Sequence, residues 1–123
     1  MSMPIPYDSW STDPQQRWID AANVFGYHLM QASLKRALER VPATASAECQ
    51  DIARQAALDA IYGVLMLLDG VADSDEVRYT LYAEVDRADS ELPCEGIELA
   101  PDGDGLCMGF HGWVEGDFGE SSV

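Results

Sequence analysis

Residues 77–86 read Val-Arg-Tyr-Thr-Leu-Tyr-Ala-Glu-Val-Asp, and the class of the fold turns on this stretch. Val77, Tyr79, Leu81, Ala83 and Val85 alternate with Arg78, Thr80, Tyr82, Glu84 and Asp86. Successive side chains of a strand point to opposite faces, so a period of two in residues that favour pleated structure predicts a half-buried strand of about ten residues. The chain before it runs on a helical period. The sequence therefore predicts an α+β fold.

Upstream lie two helices. Asp13 is placed to cap the first, Pro14 suits its first position, and Gln16 stands where a capping box takes Glu or Gln. Trp18, Ala22, Phe25, Leu29 and Ala32 recur at helical spacing, and Tyr27, Met30, Leu34, Leu38 and Val41 form a second row. Lys35, Arg36 and Arg40 complement the negative end of the helix dipole, and Pro42 stops it. From 14 to 41 this helix would be about 40 Å long at ~1.5 Å per residue. A compact domain of this size has a radius of gyration of only about 14 Å. The fold is then elongated or the helix bends, and Gly26 is the expected bend.

Thr44 or Ser46 caps a second helix running to about Leu68. Ile52, Ala56, Ala60, Val64 and Leu67 share one face, and its Ala-rich early part favours close approach to a neighbour. Residues 64–68 are apolar all round, which predicts central burial. Asp69-Gly70 ends the helix, with Gly70 left-handed. Two long helices joined by a short link predict an antiparallel hairpin.

Downstream of the strand, 88–95 reads as an acidic loop, and Ile97 and Leu99 mark a second strand. Pro101-Asp102-Gly103-Asp104-Gly105 carries hairpin-turn chemistry, and 106–110 then forms a third strand. A helix competes for that last piece: Leu106, Phe110, Trp113 and Val114 also fall at helical spacing, with Asp104 as its cap. Gly109 and Gly112 weigh against it by about 1 kcal/mol each. The expected architecture is an α-hairpin packed on a small antiparallel sheet, in the order α-α-β-β-β. One domain spans 1–123, with an irregular arm at 1–12, the hairpin at 13–69, the sheet at 76–111 and a frayed tail at 116–123.

Charge narrows the function classes. The 123 residues include 7 Lys+Arg and 22 Asp+Glu, a net charge of −15. Residues 1–69 contribute 5 basic and 8 acidic side chains, a net of −3; the remainder contribute 2 and 14, a net of −12. Direct nucleic-acid binding and anionic membrane surfaces are disfavoured, because both draw on Lys and Arg. A basic protein is the natural complement. Three cysteines, Cys49, Cys94 and Cys107, are too few for a disulfide scaffold. The first residues lack the basic-then-apolar pattern of a signal peptide, and the longest apolar run, Ala60–Leu68, is short of the ~20 residues of a membrane span. A cytoplasmic location is expected.

Chemistry-bearing motifs are weak. Cys107 and His111, with Cys94, form one loose group without the paired close spacings of a structural zinc site. Asp102 and Asp104 echo a calcium loop, but its closing position falls on Trp113. His28 sits among apolar residues; His111 has Glu115 and Asp117 nearby in sequence, but Ser121 and Ser122 fall in the expected frayed tail, so no triad geometry holds them. No enzyme activity, cofactor or metal is expected. The outer face of the sheet and its loops present Glu84, Asp86, Asp89, Glu91, Glu95, Glu98, Asp102 and Asp104, with Tyr82 and Trp113 as aromatic anchors. These ten residues are the expected contact surface for a basic protein such as a toxin, in the manner of an immunity protein or antitoxin. A secretion-type chaperone and a structural or assembly subunit are the alternatives, and either a monomer or a homodimer fits.

Overall fold

The computed structural model describes residues 3–70, 77–85, 95–101 and 105–119. Asp13 caps helix α1 (Pro14–Leu29), its carboxylate accepting from the Gln16 amide at 3.1 Å. The Gln16 side chain does not close a capping box; it turns to Asp20, whose carboxylate also accepts from the Ser11 amide. Asp20 thereby ties the N-terminal arm to α1, and Trp10 buries beside it, donating its indole N–H to the Ile5 carbonyl.

The rod continues past α1, but not as a plain α-helix. Met30–Lys35 is a π-helical segment, followed by a last turn, α2 (Arg36–Leu38). Ala22, Gly26, Met30 and Leu34 are buried at intervals of four. In an α-helix each such step drifts about 40° around the axis. The wider i→i+5 turn rotates less per residue, so it brings Leu34 back to the core side. The irregularity lies here and not at Gly26. Gly26 instead permits contact: a Cβ there would stand 2.2 Å from the Trp113 ring.

Ser46 caps α3 (Ala47–Leu68), accepting from the Cys49 amide, and Gly70 takes a left-handed φ of 76° after its end. The π segment and α2 pack against α3. Its inward side is built from Leu58, Tyr62 and Leu65, whereas Ile52, Ala56, Ala60, Val64 and Leu67 all face solvent. Residues 64–68 are thus not centrally buried: Leu65 is enclosed but Val64 is 56% exposed. Where both faces of a helix are apolar, the bulkier one gains more by burial.

The sheet has two strands, β1 (Leu81–Val85) and β2 (Glu95–Leu99), paired antiparallel from Leu81 opposite Leu99 to Val85 opposite Glu95. Val77–Thr80 lies outside β1 and is exposed. Extending the register would set Thr80 against Ala100, at a left-handed φ of 55°, and Tyr79 against Pro101, which has no N–H to give.

The expected third strand is a helix, α4 (Gly105–Val114), so the described order is α-α-β-β-α when α1, the π segment and α2 are counted as one rod. Its start is capped from afar. Asp69, 3% exposed, accepts from the amides of Leu106 (3.3 Å) and Cys107 (2.7 Å). Its end closes on Gly116 (φ 83°), with Gly116 N–H donating to the Trp113 carbonyl and Asp117 N–H to that of Gly112. The two capped ends and the burial of Leu106, Phe110 and Trp113 outweigh the propensity cost of Gly109 and Gly112. The segment from Gly116 does not fray at once: Phe118 is buried and meets Tyr27 edge-to-face at 5.2 Å. Helix α4 packs on both α1 and α3, and β2 packs on α1.

Candidate functional site

The two-strand pairing sorts the acidic β residues by face. Leu81, Ala83, Val85, Ile97 and Leu99 point inward and pack on the core. Their neighbours point outward, so Tyr82 stands directly opposite Glu98, and Glu84 opposite Gly96. Tyr82 is 63% exposed and Glu84 is exposed, with Glu98 half-buried beside them. Among the described residues of this outer face there is no basic side chain. Arg78, next along the chain, has its guanidinium donating to the Pro101 carbonyl at 3.0 Å. The result is an exposed phenol ring that shares its face with one glutamate opposite and one along its own strand.

Glu95 belongs to a different structure. It lies on the inner side of β2, and its carboxylate accepts from Arg17 Nε at 2.6 Å, Arg17 Nη2 at 2.7 Å and the Tyr7 hydroxyl at 2.9 Å. The Arg17 guanidinium lies over the rings of Tyr7 and Trp10 and also donates to the Ser11 carbonyl. The hydrogen bonds from Arg17 hold the Glu95 carboxyl below its usual pKa range against the opposing effect of burial, with Tyr7 adding to them. The same pairing raises Arg17. This cluster joins the arm, α1 and β2, and Glu95 is already engaged within the chain.

Trp113 is also not a surface anchor. It is 2% exposed, donates its indole N–H to Asn23 Oδ1 at 3.0 Å, and meets Phe25 edge-to-face. An indole enclosed between α1 and α4 has no face to offer a partner. Asp86, Asp89, Glu91, Asp102 and Asp104 lie outside the described residues.

The other sequence candidates separate in space. Cys107 and His111 stand one turn apart on α4, where His111 is exposed beside the Tyr62 ring. Cys107 lies against Asp69; burial first, then the Asp69 carboxylate, pushes its thiol up to about 11, so it is no nucleophile at neutral pH. Cys94 lies outside the described residues, and among the described residues no three His, Cys, Asp or Glu side chains converge as metal ligands. A groove of about 270 Å³ runs between β1 and α1, with His28 and Glu84 on its lining and mostly apolar neighbours. Among the described residues no helix is long and apolar enough to cross a membrane.

Two residues hold the structure together without a clear local signal in the sequence. In the sequence Asp69 has the chemistry of a helix stop, and nothing local marks it as a cap for a segment 37 residues away. Arg17 carried a weak signal, as a cation within a helix turn beside Trp18 and downstream of Tyr7 and Trp10. No protein-family model, no curated protein and no solved structure matches this chain.

Proposed function

We propose that this protein is a non-catalytic acidic binding protein whose outer sheet face receives a basic protein partner, in the manner of an immunity protein or antitoxin. One observation carries the reading: Tyr82, well exposed, shares the outer β face with Glu84 two residues along its strand and Glu98 directly opposite, on a surface without a described cation. An Arg or Lys from a partner placed over the phenol ring gains a cation–π contact and two opposite charges together. The charge of −12 beyond residue 69 adds long-range attraction that speeds encounter and orients it.

The test is a paired retention experiment. The tagged chain and its Tyr82→Ala and Glu84→Lys variants are used to recover partners from native cells, and the affinity of the recovered protein is then measured directly. A basic partner whose affinity falls about 10-fold or more with each variant, while melting is unchanged, supports the reading. A partner that is not basic, or that binds all three chains equally, sinks it.

A further inference from the structure

The helix that the sequence expects to bury one face leaves that face bare. Ile52, Ala56, Ala60, Gly63, Val64 and Leu67 recur at intervals of three and four on the side of α3 away from Leu58 and Leu65, and all six are exposed. Ile52 is 62% exposed. A solvated helix face ordinarily carries charged residues. Here about four turns pass without one on the stripe, and Asp59 stands only at its border. We propose that this face of α3 is the interface of a symmetric antiparallel homodimer.

A second copy is the occupant that the pattern fits. A two-fold interface must be complementary to itself. With the axis passing between Asp59 and Ala60, Ala56 comes opposite the partner's Gly63, and Ile52 opposite the partner's Leu67. Small residues at the centre let the two backbones approach closely, and the larger side chains fill the space where the helices diverge. Charge gives the same answer. The half of the chain that holds α3 has a net charge of only −3, and the stripe itself carries no charged side chain, so pairing through this face buries no stripe carboxylate. A basic partner finds no counter-charge on the stripe.

Area sets the strength. A helix of 22 residues is about 33 Å long and about 10 Å wide. Its face buries on the order of 330 Å² per copy, or about 660 Å² in all, below the ~1,000 Å² of stable specific interfaces and in the range of weak, transient ones. The dimer is therefore reversible and concentration-dependent. Because its residual electrostatics are repulsive, with the two Asp59 side chains near the axis, added salt strengthens it. This proposal is independent of the sheet-face reading.

The experiment is sedimentation equilibrium of the full chain from micromolar to millimolar concentration, alone and as Ala60→Glu, at low and high salt. We expect wild-type dimerisation that tightens with salt and is lost in the variant, whose helical circular dichroism and melting stay unchanged. A wild-type chain that remains monomeric throughout overturns the proposal, as does a dimer that Ala60→Glu leaves intact. Orientation is read separately in a Cys49→Ser background, by mixing chains carrying Ile52→Cys with chains carrying Leu67→Cys and mapping the disulfides by mass. Cross-links between positions 52 and 67 support the antiparallel pair, whereas 52-to-52 cross-links overturn it.

Discussion

Asp69 shows how one side chain decides a local structure that its own neighbourhood does not announce. Its carboxylate satisfies two amides at the start of α4 that would otherwise be buried without acceptors, at the end of the helix where dipole and charge agree. Asp69→Ala should cost about 2–3 kcal/mol, because leaving buried donors unpaired costs more than the net value of the bonds lost. Urea denaturation checks this, and a loss below about 0.5 kcal/mol would mean that water replaces the carboxylate. Glu95 makes a pH prediction. Its pKa is lower folded than unfolded, so its contribution is complete above the ordinary glutamate value of about 4.3 and disappears as pH falls through the lowered one. Glu95→Gln should flatten the loss of stability over that acid range and cost about 1 kcal/mol or less at neutral pH, since the pair is partly exposed. Denaturation curves of both chains across that range measure the difference in slope. The Arg17–Glu95 pair also shows why a carboxylate on an acidic strand is not automatically a partner contact: strand parity put Glu95 on the inner face, where a cation from α1 was waiting.

At the scale of elements, the contact between α1 and α4 depends on the absence of a side chain at Gly26. A methyl group there would overlap the Trp113 ring, which is held by Asn23 and Phe25 and has little room to retreat. Gly26→Ala should therefore destabilise by about 1–3 kcal/mol even though alanine favours helices by about 1 kcal/mol over glycine. Thermal melting with near-UV circular dichroism of the indole checks both the loss and its site. An unchanged or raised melting temperature would show that α4 shifts to admit the methyl at little cost. Much of the element pattern was legible in the sequence: the Asp13 and Ser46 caps, the left-handed Gly70, and the parity of Leu81, Ala83 and Val85. Residues 106–114 were not, because their apolar spacing suits a short strand or a short helix equally. Their two glycines spoke against the helix, and the opposing contribution of Asp69 lies far away in the chain.

For the molecule as a whole, the two interaction surfaces differ in the sign of their salt dependence. Binding of a basic partner to the Tyr82 face should weaken as salt rises, through slower association, whereas pairing through α3 should strengthen. Association rates across a salt series, set beside sedimentation at the same salts, test the two signs together. A partner association rate that ignores salt would remove charge steering from the account. By itself the sequence determined the α+β class, the extents of the long helices to within a turn or so, the inward parity of β1 and the concentration of negative charge beyond residue 69. These follow from local chemistry: caps, period and composition. Only the tertiary structure decided that α3 turns Leu58 and Leu65 inward and leaves Ile52 and Val64 in solvent, that 105–114 is a helix, that Trp113 is core and that Glu95 is paired with Arg17. Each of those is a choice between alternatives of equal local merit, and it is settled by which volumes fill the core and which distant polar groups find each other.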